Sequence, residues 1–257
     1  MLAMLFADGP ADAQPTPPSA AVISGPAAVA RLASEAPVVA HARVTRARRA
    51  PGAPAGHERF VVQAATAALL KGPAQPARLR WLADVPRGPG GTAPDPSGTE
   101  VLVFAAPVPD RPGELRLPFR DAMLPHSPAL AARVRALLAE ANGPGAPPAV
   151  TALASALHVP GTLPGESETR FFLLAADGRP LSLLVTRRPA APPAWSVSLG
   201  ELVDVAAPPP AKGTLLWYRL ACGLPATLPD AVVEQAEFAA AARADWAVVR
   251  EGLGRCE

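Results

Sequence analysis

Residues 77–85 (ARLRWLADV) alternate, with Leu79 and Trp81 on one side and Arg78 and Arg80 on the other. That is the period of a half-buried strand. Residues 37–49 (PVVAHARVTRARR) form a Val-rich strand that ends in charge. Residues 58–70 (ERFVVQAATAALL) form a long apolar run with β-branched and aromatic residues at its start, stopped by Lys71-Gly72-Pro73. Residues 99–106 (TEVLVFAA) read as a buried strand, and 114–119 as a short one after a turn at 110–113. The Pro/Gly/Asp-rich span 86–98 reads as a mobile loop. A helix follows, with Ser127 as its N-cap and Pro128 at its first position. Its apolar face carries Leu130, Val134, Leu137, Leu138 and Ala141, and Asn142-Gly143 ends it.

The segment 143–148 (GPGAPP) has the composition of a linker. Beyond it, residues 149–157 suggest a helix. Residues 168–176 and 181–188 flank Asp177-Gly178, a strong hairpin signal. Residues 195–199 (WSVSL) and 214–221 (TLLWYRLA) complete a predicted four-stranded set, the last leading into Cys222. Asp230 is placed to cap a long Ala-rich helix running to Glu251, with Phe238, Ala242, Trp246, Val249 and Leu253 on one face.

These elements predict an α+β protein. An N-terminal small β-barrel with a helix spans 36–142, and an antiparallel sheet packed with helices spans 149–257. The order VVAHARV, FVVQAATAALLKG, LRWLADV, GTEVLVFAAPV resembles the TIMP/netrin-like module, an OB-fold barrel. The matching positions are 38–44, 60–72 and 98–106. The resemblance implies an OB-like fold and a role in binding. Animal members of that family engage a protease zinc through an N-terminal cysteine. No cysteine lies in this half, so that inhibitory mechanism is not implied.

Ala11-Asp12-Ala13 has the small-residue pattern of a signal-peptide cleavage site, preceded by a short apolar run without Lys or Arg. Residues 1–19 are therefore read as a signal-peptide remnant and disordered N-terminus, with the true start upstream and the mature chain beginning near Gln14. The two cysteines, Cys222 and Cys256, lie at segment ends where a helix folded back on a sheet would bring them together. Together these features predict a disulfide-bonded protein of the periplasm or extracellular space. No run of about 18 apolar residues is present.

At 257 residues, with 49% hydrophobic and 18% charged positions, the chain can bury a substantial core. Proline (34) and glycine (20) are abundant, but so are Ala and Arg, which share their GC-rich codons, so no polyproline function is read from them. A net charge of +2 does not argue for nucleic acid. The densest basic patch, Arg43, Arg46, Arg48 and Arg49, divides between the two faces of its strand and reads as a solvated strand end.

Nucleotide loops of the GxxxxGK and GxGxxG types are absent. The four histidines, His41, His57, His126 and His158, share no metal-ligand spacing with one another or with a cysteine. Each reads as a lone side chain, and no metal or cofactor is assigned. Ser167 sits in GESET, where a nucleophile elbow would need glycine at Thr169. Glu166 and Glu168 could supply acid/base groups, and Trp195, Trp217 and Tyr218 fit either core packing or a ligand groove.

The leading expectation is a non-enzymatic envelope binding protein with a protein partner. The alternative is an envelope hydrolase with a carboxylate site at Glu166/Glu168. A third reading is a structural subunit of a larger envelope assembly.

Overall fold

The computed structural model describes residues 25–200 and 207–257. The expected cleavage site and mature start lie outside them. The fold is mixed α+β, with two antiparallel sheets and four α-helices among the described residues. The described residues open with α1 (Pro26–Glu35), a helix not among the elements expected from the sequence pattern, and continue into β1 (Val38–Ala50), β2 (His57–Lys71) and β3 (Arg78–Pro86). Next come β4 (Glu100–Pro107), β5 (Leu115–Arg116), β6 (Met123–Pro125) and α2 (Pro128–Asn142). The first sheet has the order β3-β2-β1-β4-β5, and β6 also pairs with β4.

Both faces of the central strands are buried. Ala40, Ala42, Phe60, Val62, Trp81 and Val103 share the concave core. Val39, Leu102, Phe104 and Leu124 face α1 and α2 on the other side. Three register shifts interrupt the β1–β2 ladder, irregularities of the kind that bend a strand and increase its twist. The sheet remains open. Its edges, β3 and β5, meet at one parallel bridge, Arg80–Glu114, where the Arg80 N–H donates to the Gly113 carbonyl at 2.8 Å.

Lys71 and Gly72 fasten the junction between α1 and β1. The Lys71 ammonium donates to the Ala33 and Ser34 carbonyls at 2.9 and 3.0 Å, satisfying the helix C-terminus. Gly72 has φ +104° with the Pro37 carbonyl oxygen 2.5 Å from where a Cβ would stand, so only glycine fits there.

The span 86–98 is pinned rather than free. Ala93 and Pro96 are buried, Ser97 Oγ accepts the Ala47 N–H, and Gly98 N–H donates to Val44. These bonds satisfy backbone groups that the irregular β1 leaves unpaired.

The second sheet is a meander, β10-β9-β8-β7: β7 (Val150–Pro160), β8 (Ser167–Ala175), β9 (Leu181–Arg187) and β10 (Ala194–Ser198). Helices α3 (Leu215–Gly223) and α4 (Ala239–Leu253) cover one face around Phe171, Leu183, Trp217 and Trp246.

Four element assignments expected from the sequence are also corrected. Residues 149–157 belong to β7, whose two register shifts against β8 disrupt the alternation that marks a strand. Residues 214–221 form α3, because the Thr214 hydroxyl accepts the Trp217 N–H at 3.2 Å and Leu215, Trp217, Leu220 and Ala221 then share its buried side. The last helix begins at Ala239, after two 3-10 turns, and Asp230 pairs with Arg243 instead of capping it. The strand expected at 114–119 is reduced to Leu115–Arg116.

The 143–148 segment joins α2 to β7, and the two halves pack together there. Leu215 of α3 enters the core beneath α1 and α2, Ala27 of α1 enters the second core, and Tyr218 touches both. The Glu140 carboxylate accepts the Leu215 N–H at 2.7 Å.

Ser127 Oγ accepts the Leu130 N–H at 3.1 Å, the N-cap bond expected for α2. Ser127→Ala should lower stability by about 1 kcal/mol in urea denaturation.

Candidate functional site

The seam between β3 and the segment that follows β4 is an open groove of about 620 Å³. Sheet parity forms one wall. Arg80, Leu82 and Asp84 alternate with the buried Leu79, Trp81 and Ala83, so they point away from the concave core, and Leu82 is 52% exposed. The opposite wall is Arg116 to Arg120. Arg31 of α1 fixes that wall by holding Asp121 through two contacts of 3.0 and 3.3 Å while its guanidinium lies 4.1 Å over the Phe119 ring. Trp81 contributes to the floor, and its indole N–H has no protein partner among the described residues.

Five arginines line this groove against two carboxylates. Arg59 grips Asp84 with two bonds, 2.7 and 2.8 Å, and this pairing holds the Asp84 carboxyl below the usual carboxylate range. Arg80 and Arg111 share Glu114 at 3.4 and 3.3 Å. Arg116 and Arg120 are exposed and have no carboxylate within 4.0 Å among the described residues. The groove therefore carries an excess of three positive charges beside exposed apolar surface.

The backbone adds a second feature. Neighbouring strands bond the outward N–H and C=O groups of alternate residues. On the free side of β3, Arg80 is bonded to Gly113, and no strand pairs with the stretch from Leu82 to Asp84. Unpaired strand groups of this kind can receive an added strand.

None of the ligand-binding residues considered from the sequence lines this groove. Trp217 is buried, with its indole N–H donating to the Leu253 carbonyl at 2.8 Å. Tyr218 is half-buried between the two cores, and burial pushes its phenol pKa up. Trp195 packs over Gly252 of α4, where an added Cβ would stand 2.5 Å from its indole nitrogen. Glu166 folds over Gly161 in the β7–β8 turn and accepts the Leu163 N–H, while Glu168 is exposed on β8. Ser167, between them, is buried. Arg43, Arg46, Arg48 and Arg49 are exposed along the end of β1, as a solvated strand end requires.

Cys222, in the last turn of α3, is disulfide-bonded to Cys256, with Cα atoms 5.1 Å apart. No helix among the described residues is long and apolar enough to cross a membrane.

The structure gathers two groups of residues that sequence spacing did not. The first is His41, Glu100 and His126 on the outer face of the first sheet. The imidazoles stack 3.8 Å apart with ring planes 9° from parallel, and both rings face Glu100 Oε2.

The second is a buried network. The Thr169 hydroxyl donates to Asp245 Oδ2 and accepts from His158 Nδ1 at 2.7 Å, and Arg187 Nε donates to Asp245 Oδ1 at 2.5 Å. Thr169 and Asp245 are wholly buried, so the network ties α4 to β7, β8 and β9 and presents no hydroxyl to a substrate. Its sequence signal was Asp245 itself, a charged residue at a helical core position between Ala242 and Trp246. No protein-family model matches the chain, and no curated protein matches it significantly.

Proposed function

We propose that the protein is an exported, non-enzymatic binding protein of the cell envelope, periplasmic or secreted, and that the seam groove receives an extended acidic segment of a partner protein. The carrying observation is the groove's composition: five arginines against two carboxylates, beside an unpaired stretch of β3. Charge complementarity selects an acidic ligand. The free strand edge favours a polypeptide, which can satisfy the backbone groups between Leu82 and Asp84 while an apolar side chain covers Leu82.

The likeness to the TIMP/netrin-like module supports a binding role. Pairing runs from β3 through β2, β1 and β4 to β5, and the single Arg80–Glu114 bridge, just before β5, brings the two edges of the open sheet together. That adjacency agrees with a partly open five-stranded barrel of the OB type. The disulfide supports an oxidising compartment.

The test is charge reversal on the unpaired wall. Tagged full-length protein carrying Arg116→Glu and Arg120→Glu should recover at least tenfold less partner from its native envelope fraction than the unaltered protein. Recovery should also fall as salt is raised. Equal recovery by both proteins would refute the groove as the binding surface.

A further inference from the structure

We infer that His41, Glu100 and His126 form a binding site for a divalent transition-metal ion of the imidazole-preferring class, with zinc as the probe ion. Strand parity carries the argument. His41 follows Val39 by two positions, Glu100 precedes Leu102 by two, and His126 follows Leu124 by two. Val39, Leu102 and Leu124 all face the helices in one apolar cluster. The three polar residues therefore extend that row on the same face, just past the apolar cover.

Register then sets their spacing. His41 pairs with Leu102, which pairs with Leu124, and the His126 N–H donates to the Glu100 carbonyl at 2.9 Å. Glu100 thus lies opposite His126 and diagonal to His41 across continuous hydrogen-bonded backbone. These are rigid supports.

The side-chain geometry fits an ion. His41 Nε2 and His126 Nδ1 lie 3.1 and 3.6 Å from Glu100 Oε2, and one donor atom from each residue lies within 4.8 Å of the others. Zinc bonds of ~2.0–2.2 Å in tetrahedral geometry place donors ~3.3–3.5 Å apart. Two imidazoles and one carboxylate suit zinc, copper, iron or nickel, whereas all-oxygen sites suit magnesium or calcium. Glu100 is about half exposed and both rings are partly exposed, so solvent can reach the ion's remaining positions.

The stack itself points to a ligand. His41 is within hydrogen-bonding distance of the carboxylate, but the nearer nitrogen of His126 is beyond it, and that ring has no side-chain hydrogen bond among the described residues. Parallel rings aim their lone pairs side by side.

The test uses tag-free, chelator-treated full-length protein, because an affinity histidine tag would bind the probe. Isothermal titration with Zn²⁺ should show one equivalent bound. His41→Ala and His126→Ala should each weaken it by at least ~100-fold, beyond the effect typical of a lost outer partner, while His57→Ala should not. In the unaltered protein, Co²⁺ should broaden the imidazole resonances of His41 and His126 and spare those of His57, a readout independent of how the variants fold. Zinc binding retained when His41→Ala and His126→Ala are combined in one protein, or cobalt broadening that spares the pair, would overturn the site.

Discussion

Arg187→Met should lower the stability of the protein by about 3–5 kcal/mol in urea denaturation, the range for breaking a buried ion pair from one side. Asp245 is fully buried, and its carboxylate is satisfied by the Arg187 guanidinium and the Thr169 hydroxyl. Removing the guanidinium leaves a buried negative charge with the Thr169 hydroxyl as its hydrogen-bond donor and the His158 imidazole 3.7 Å away. The opposite deletion is milder. Asp245→Asn retains the shape and a hydrogen-bond acceptor, and Arg187, with 35% of its side chain exposed, can turn toward water. That loss should be about 1–3 kcal/mol. The double change Arg187→Met with Asp245→Leu should recover most of the stability, because two apolar groups need no partner. If the two single effects simply added, the residues would not act as a pair and the clamp on α4 would lie elsewhere.

Much of the architecture was legible because burial pattern and turn chemistry agreed locally. The strand around Leu79 and Trp81 alternates without a break, the β8–β9 hairpin turns at Asp177-Gly178, and Ser127-Pro128 opens α2. Misreadings arose where a single local signal was ambiguous. TLLWYRLA has the residues of a strand, and only the Thr214 cap and the burial of Leu215, Trp217 and Leu220 on one side make it α3. Two bulges in β7 offset its side chains enough to imitate helical spacing.

The candidate sites were illegible for a different reason. His41, Glu100 and His126 come from β1, β4 and the residue after β6, and they meet through register between strands distant in sequence. The groove likewise exists only where β3 approaches the segment after β4. Asp245 carries a signal that the sequence reading passes over: one charged residue on an otherwise apolar helix face implies a buried partner.

Replacing both cysteines, Cys222→Ser with Cys256→Ser, should cost about 3–4 kcal/mol, the conformational entropy returned to an unfolded chain when a loop of 34 residues is opened. For a chain of this size that corresponds to a fall in Tm of roughly 6–16 °C. The bond joins the last turn of α3 to the residues after α4, and the same chain end reaches back to α1, where the Ala27 N–H donates to the Glu257 carbonyl at 3.4 Å. One covalent link therefore holds both helices of the second half and the start of the first. The decisive comparison is calorimetry with and without reductant. Reductant should lower the Tm of the unaltered protein to that of the serine variant and leave the variant unchanged. Equal Tm values in all four samples would mean that packing alone, including the Trp217–Leu253 hydrogen bond, fixes α3 against α4. The physical basis for an oxidising compartment would then be lost. A full loss would tie the stability of the fold to such a compartment, because a reducing cytosol would hold both thiols free.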